Sequence, residues 1–283
     1  MSISVAWIRN LKGVEELCFI SDSRLSGNGQ KWDSCKKIFM LQGDTSILCF
    51  TGNTNIGFPL IQQIESAINS HRKSKQGYID IKDLLGHLIN VINNLVSTIT
   101  LEIKGAYSIS DDLINVEFIF GGYSWKDKGF YAWTINYKVH DKCFAANKMI
   151  TPKSIKKIVF CGDMKKEYEK LFMNRMMSVL GKDSFIQKLQ KHDYDFEPLE
   201  ILRDFLIKAD KNSTVGGPIQ FAKIYQHLHA VPIGIIWPQV NPKKTVYGRT
   251  ILEYENTDLV FFNPFTLLNE SVPYIKNSED NNV

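Results

Sequence analysis

Residues 2–9 have the sequence SISVAWIR, and residues 17–24 have the sequence LCFISDSR. Both stretches combine β-branched, aromatic and other apolar side chains in a short run, which is typical of β-strands. Between them lie residues 10–13, NLKG, whose composition suits a hairpin turn. We therefore predict that the chain opens with a β-hairpin, and that its second strand covers residues 17–21.

A second hairpin and two helices are predicted next. Short apolar runs at residues 37–41 and 46–51 flank a Gly-Asp turn at residues 43–44, which indicates the hairpin. Residues 56–72 and 81–103 then carry apolar side chains at three-to-four spacing, the period of an amphipathic helix.

The second half of the chain contains both patterns. The predicted elements there are strands at residues 115–120, 129–135, 157–161, 231–237 and 245–254, and helices at residues 164–180, 198–209 and 217–229. Because strands group into hairpins and helices also group, the order favours an α+β domain with two central sheets faced by helix pairs. The polar residues 276–283 are predicted to form a disordered tail.

Composition restricts the class of protein. The net charge of +4, from 34 basic and 30 acidic residues among 283, is too small for a nucleic-acid-binding face. Five cysteines, an odd number with no CxxC pair, argue against a disulfide framework or a zinc site and favour a cytoplasmic location. Neither a signal peptide nor an apolar stretch of ~18 residues is present, so no membrane association is expected.

Several short motifs follow one another along the chain. They are Ser2-Ile3-Ser4-Val5-Ala6, Ser21-Asp22-Ser23-Arg24, Lys37-Ile38, Thr51-Gly52, the hairpin from Phe118 to Trp133, Cys161-Gly162, and Asp210-Lys211-Asn212-Ser213 before Gly216-Gly217. In this order and spacing the set resembles the N-terminal-nucleophile (Ntn) hydrolases of the proteasome β type, with their bacterial ATP-dependent peptidase and Anbu-like relatives.

The resemblance has consequences for fold and assembly. It implies a four-layer αββα sandwich of two antiparallel sheets flanked by helices, built as one Ntn-hydrolase-like domain over residues 1–275. It also implies peptide or protein substrates and self-assembly into a ring or spiral, and it allows for an ATPase partner. No cofactor, metal, nucleic acid or membrane is expected to take part.

Ser2 could act as both nucleophile and base once Met1 is removed. A serine hydroxyl needs a base, and the sequence has neither a Gly-x-Ser-x-Gly elbow nor a histidine in a triad pattern. The free α-amine of Ser2 would have an unperturbed pKa of about 8, which suits a general base. The expected reaction is attack on an amide carbonyl, formation of an acyl ester, and hydrolysis.

The resemblance assigns catalytic roles to five further residues. Lys37 is expected beside the nucleophilic hydroxyl, and Asp22 is expected to pair with Lys37 and hold it charged. The backbone N–H of Gly52 is expected to stabilise the oxyanion. Asp210 and Ser213 are expected to orient the α-amine and a water molecule.

Other interpretations stay open. Asp22 and Arg24 are also compatible with a turn cap or a surface pair, and Lys37 with one half of a solvated lysine pair. The family usually begins with Thr where this chain has Ser, and Cys161 stands where the family has Ser. A catalytically inactive structural or assembly subunit and a small-amide acylase are therefore alternatives to a peptidase.

Overall fold

The computed structural model describes most of the chain, namely residues 2–27, 29–41, 45–76, 78–100, 109–210, 212–226 and 229–270. Strands cover 36% of these residues and helices 31%. Met1, the predicted turn at residues 43–44 and the predicted tail at residues 276–283 lie outside the described residues.

The described residues contain sixteen strands and seven helices. The strands are β1 (Ser4–Leu11), β2 (Val14–Ser21), β3 (Leu25–Gly27), β4 (Gln30–Trp32), β5 (Ile38–Leu41), β6 (Ser46–Gly52), β7 (Val116–Ser124), β8 (Gly129–Lys138), β9 (Cys143–Ile150), β10 (Ile158–Cys161), β11 (Gln220–Tyr225), β12 (Ala230–Trp237), β13 (Lys243–Val246), β14 (Arg249–Thr250), β15 (Phe261–Asn263) and β16 (Leu268–Glu270). The helices are α1 (Thr54–Ser70), α2 (Arg72–Lys75), α3 (Ile81–Val96), α4 (Ile109–Ile114), α5 (Lys165–Leu180), α6 (Phe185–Lys191) and α7 (Glu197–Lys208). Within this described part, no helix is both long enough and apolar enough to cross a lipid bilayer.

Nine strands form the largest sheet. Seven follow the order β10-β1-β2-β11-β12-β13-β14, while β15 pairs in parallel with β12, and β16 pairs with β15. The predicted opening hairpin is confirmed, because β1 and β2 are antiparallel with Ser4 opposite Ser21 and Trp7 opposite Cys18. This register places the start of β1 beside the end of β2, so the residue before one strand meets the residue after the other.

A second sheet contains β5 to β9 in that order, and every neighbouring pair in it is antiparallel. β3 and β4 form a separate two-stranded ribbon. Strand β9 is not among the predicted elements, because only Phe144 and Ile150 of its residues are buried and no clear alternation results.

Three clusters of buried apolar side chains hold these elements together. One cluster, around Trp7 and Phe172, packs β1, β2 and β11 against α5 and α7. Another, around Phe50, packs β6, β7 and β8 against α1 and α3. The third contains Phe19 and Ile119 and joins strands of the two larger sheets. Close packing in this third cluster fixes the strand ends of one sheet relative to those of the other.

The expected fold, an α+β four-layer αββα sandwich of two antiparallel sheets flanked by helices, is wrong. The described residues form three sheets, and the molecule is organised around the nine-stranded one, which includes the parallel pair β12–β15. Two of the helices, α2 and α4, have only four and six residues. The single strand expected over residues 245–254 is divided between β13 and β14, and the unpredicted strands β15 and β16 have three residues each, too few to produce a recognisable period in the sequence.

Two predicted helices also differ from the structure. Instead of the helix expected over residues 217–229, the structure has strand β11. Phe221 belongs to one core cluster and Ala222 to another, so both faces of β11 are buried. A strand buried on both faces shows no alternation of buried and exposed positions, so its sequence does not distinguish it from a helix. The helix expected over residues 81–103 ends at Val96.

Candidate active site

Ser2 lies close to the start of β1, and only 3% of its surface is exposed. Asp22 directly follows β2, and its Oδ1 accepts a hydrogen bond from the backbone N–H of Ile3 over 3.2 Å. Lys37 directly precedes β5 of the second sheet, and its Nζ donates to Ser2 Oγ over 2.9 Å. Three side chains that are distant in sequence therefore meet where three strands begin or end.

Lys37 and Asp22 form an ion pair that is completely shielded from solvent. The Nζ–Oδ1 distance is 2.8 Å, and neither side chain has exposed surface. The other carboxylate oxygen of Asp22 accepts the backbone N–H groups of Arg24 at 3.2 Å and Gly216 at 3.3 Å. Because a buried charge is strongly unfavourable unless it is paired and hydrogen-bonded, these contacts fix Asp22 as the anchor for Lys37.

Gln220, the first residue of β11, supports this ion pair through the backbone. Its side chain is fully buried, and its Oε1 accepts the backbone N–H of Lys37 at 2.9 Å. Its Nε2 donates to the carbonyl oxygens of Asp22 at 3.1 Å and Cys35 at 2.7 Å. Sequence reasoning missed Gln220, and the only available signal was a polar residue within the apolar run at residues 219–222.

Gly52 ends β6 and lines the same cleft as Ser2, which has a volume of about 750 Å³. Its φ angle is +109°, a conformation that favours glycine. A Cβ atom added there would lie 1.6 Å from the carbonyl oxygen of Asn115, so only glycine fits. Most of the other lining side chains are polar, among them Ser26, Gln30, Asn53, Thr54 and Asn55.

Arg24 anchors one wall of this cleft, the β3–β4 ribbon. Its Nε and Nη2 donate to the two carboxylate oxygens of Asp33 at 2.6 and 2.8 Å, so the pair closes the base of the ribbon. This hydrogen-bonded pairing raises the pKa of Arg24 and lowers the pKa of Asp33. Arg24 Nη1 also donates to the carbonyl oxygen of Ser213 at 2.9 Å, which ties the ribbon to the loop before β11.

Asp210 and Ser213 lie in that loop, and their side chains accept hydrogen bonds from backbone groups of the same loop. The carboxylate of Asp210 accepts the backbone N–H of Asn212 at 2.7 Å, and the hydroxyl of Ser213 accepts that of Val215 at 3.4 Å. Among the described residues neither side chain hydrogen-bonds to Ser2. Their expected roles in orienting the α-amine and a water stay predictions.

Cys161 lies behind the site, at the end of β10. Burial, together with the nearby Glu117 carboxylate, raises the pKa of its thiol well above the ordinary value. The sulfur lies 3.4 Å from Thr51 Oγ1 and 3.3 Å from Glu117 Oε2. Cys161 is also buried, with 1% of its surface exposed, so it forms part of the packing behind the site.

The site therefore consists of a hydroxyl, an ammonium group and a carboxylate, with a glycine at the end of the facing strand. Within the described ranges, no three His, Cys, Asp or Glu side chains cluster closely enough to hold a metal ion. No protein-family model matches the sequence, and no curated protein matches it either.

Proposed function

We propose that this chain is an N-terminal-nucleophile hydrolase that cleaves amide bonds through Ser2 after removal of Met1. The 2.9 Å contact between Lys37 Nζ and Ser2 Oγ is the observation that carries the proposal. Lys37 is fully buried and its charge is balanced by Asp22, unlike a solvated surface lysine. A preorganised cation beside a hydroxyl stabilises the negative charge that develops on oxygen during the reaction.

The proposed chemistry uses the α-amine that loss of Met1 would free. As Ser2 Oγ attacks the carbonyl carbon and forms a C–O bond, the α-amine accepts the hydroxyl proton. That proton passes to the leaving nitrogen, and the C–N bond breaks to release an amine and leave an ester on Ser2. Water then attacks the ester, a proton returns to Oγ, and the carboxylic acid product leaves.

Gly52 is the proposed oxyanion donor. It lines the cleft together with Ser2, and the absence of a side chain lets its backbone approach a bound carbonyl oxygen. Hydrogen bonds to the oxyanion form fully only in the transition state, so they accelerate the chemical step rather than binding. Removal of one such donor lowers the rate of an acyl-transfer enzyme by about 10²–10³.

Peptides are the proposed substrates. Hydroxyl and amide side chains line the cleft, and such groups can hydrogen-bond to the main chain of an extended peptide. The motif resemblance supports assembly into a ring or spiral, an ATPase partner and a cytoplasmic location as further parts of the proposal. A small-amide acylase would use the same chemistry and would differ only in what the cleft binds.

One observation favours a second candidate, a catalytically inactive structural subunit. The hydrogen bonds of Asp210 and Ser213 go to their own loop and to Arg24, so the α-amine of Ser2 would lack two of the groups expected to orient it. In such a subunit the ion pair between Asp22 and Lys37 would only stabilise the contact between the end of β2 and the start of β5.

Mass spectrometry of the intact protein, with and without a β-lactone probe, separates the two candidates. A hydrolase is expected to lack Met1 and to gain one acyl adduct that maps to Ser2. The Ser2→Ala variant should remain unlabelled, while Ser4→Ala, a matched change two residues later, should still be labelled. A protein that retains Met1 and gains no adduct would contradict the hydrolase proposal.

A further inference from the structure

We propose that Glu117 is a positioning residue that sets the separation between the nucleophile and the oxyanion donor. The inference rests on the proposed function, because it concerns the geometry of that reaction. Ser2 lies before β1 of the nine-stranded sheet, whereas Gly52 ends β6 of the five-stranded sheet. Their distance therefore depends on contacts between the two sheets at this end of the molecule.

Glu117 makes such a contact. It belongs to β7, and its Oε2 accepts the backbone N–H of Gly162 at 2.9 Å and the thiol of Cys161 at 3.3 Å. Its Oε1 accepts the ammonium group of Lys165 at 2.8 Å. One carboxylate of the five-stranded sheet thus holds the end of β10, the turn after it and the first residue of α5.

The turn at Gly162, which Glu117 holds, packs against the backbone of Ser2. Gly162 has a φ angle of +103°, and a Cβ atom added there would lie 2.2 Å from the carbonyl oxygen of Ser2. The backbone N–H of Met164 also points at that carbonyl oxygen, at 3.4 Å. Because the turn packs directly against the backbone of Ser2, the two cannot move independently, and a shift of the turn displaces Ser2.

Glu117 also contacts β6, the strand that ends at the proposed oxyanion donor Gly52. It pairs with Thr51, the residue before Gly52, across the β6–β7 ladder. Thr51 Oγ1 donates to the carbonyl oxygen of Glu117 at 3.3 Å and lies 3.4 Å from Cys161 Sγ. Glu117 therefore contacts both the turn that packs against Ser2 and the residue that precedes Gly52.

The charge state of Glu117 suits this role. Burial on its own would raise the pKa of the carboxyl, but the hydrogen bonds from Lys165 and Gly162 outweigh it and lower the pKa. The group is therefore ionised at neutral pH, and an ionised carboxylate accepts stronger hydrogen bonds than a neutral one.

Glu117 does not line the substrate cleft. It lines a neighbouring cavity of about 210 Å³, with Thr51, Gly162 and Lys165. A residue placed in this way affects the alignment of reacting groups more than substrate binding. Its replacement should lower the rate of the chemical step and leave the affinity for ligands in the cleft nearly unchanged.

The test is the kinetics of Ser2 acylation by the β-lactone probe in full-length protein. Glu117→Ala is expected to lower the limiting acylation rate by about 10–100-fold, with the half-saturating probe concentration within about twofold of wild type. Glu117→Gln keeps an acceptor for Gly162 and should recover part of the rate. Glu15→Gln, which breaks a similar carboxylate–lysine pair with Lys157 at 3.1 Å, is the matched control and should react like wild type.

If Glu117→Ala fails to fold, Lys165→Met is the second variant. Loss of this partly exposed ion pair is expected to lower the limiting acylation rate by about threefold. Equal limiting rates for wild type and the Glu117 and Lys165 variants would overturn the positioning role while leaving the proposed function intact. A fall confined to probe affinity would overturn it as well. An unlabelled wild-type protein would instead contradict the proposed function, and this inference with it.

Discussion

Two regions of the molecule contain similar polar residues but differ in burial. One is the buried segment with Asp22 and Lys37, and the other is the more exposed loop with Asp210 and Ser213. The carboxylate of Asp22 has no exposed surface and receives four donors, from Lys37, Ile3, Arg24 and Gly216. The carboxylate of Asp210 lies in an exposed residue, and it accepts the backbone N–H of Asn212. Both sets belong to the motif series in the sequence, and among the described residues only the first includes a side chain that hydrogen-bonds to Ser2.

This difference shows what a chemical site requires beyond suitable residue types. A carboxylate in water interacts weakly with a cation, because water screens the charges. A carboxylate that is enclosed by strand ends and backbone N–H groups can hold a cation in one position. We therefore expect substitutions at Asp22 and Lys37 to have much larger effects than substitutions in the loop.

The largest effect is expected for Asp22→Asn. The change removes the negative charge that balances the fully buried Lys37, and breaking a buried ion pair on one side costs about 3–5 kcal/mol. Urea unfolding should show this loss in the free energy of unfolding. Asp210→Asn, the matched change in the exposed loop, should stay within about 0.5 kcal/mol of wild type. Similar losses for both variants would remove the distinction between the two regions.

Lys37→Met is expected to lower the rate of Ser2 acylation by about 10²–10³, the usual effect of removing a group that stabilises developing negative charge. Lys36→Met is the control, since Lys36 is the neighbouring lysine and is exposed. Acylation kinetics with the same probe measure both variants. Equal acylation rates for the two variants would contradict a catalytic role for Lys37.

A smaller effect concerns the pH dependence of stability at Glu117. The folded-state pKa of this carboxyl is lowered, so its contribution to stability is fully present above the unfolded-state pKa of about 4.3 and is lost as the pH falls through the folded-state pKa. The difference in unfolding free energy between wild type and Glu117→Gln should be constant above about pH 5.5 and should shrink below about pH 4.3. Thermal or urea unfolding across pH 3–8 measures it, and a difference that grows on acidification would contradict the assigned hydrogen bonds.

The smallest effect is expected for Ser213→Ala. Its hydroxyl accepts the backbone N–H of Val215 at the long distance of 3.4 Å, so its loss should lower the acylation rate by less than about threefold. The same kinetic assay measures the change. A fall of a hundredfold would mean that the loop moves toward Ser2 when ligand binds, which would bring the two regions together in function.

Much of the secondary structure could be predicted from local pattern. The predicted helices at residues 56–72, 164–180 and 198–209 correspond to α1, α5 and α7. One apolar face of each packs on a sheet, so the helical period is visible in the sequence. Strand β11 and the short strands β15 and β16 could not be predicted in this way, because a strand buried on both faces, or one of three residues, has no diagnostic period.

The sequence by itself determined the opening hairpin, three long helices and a short set of candidates that included Ser2, Asp22 and Lys37. The hairpin and the helices follow from local periodicity, which is a property of neighbouring residues, and the candidates follow from the motif series that resembles the Ntn hydrolases. The tertiary structure alone decided which candidates meet, added Gln220 and Glu117 around them, and arranged the strands into three sheets rather than two. These outcomes depend on contacts between residues far apart in the sequence, such as Gln220 and Asp22, which are 198 positions apart, and local pattern does not encode such pairings.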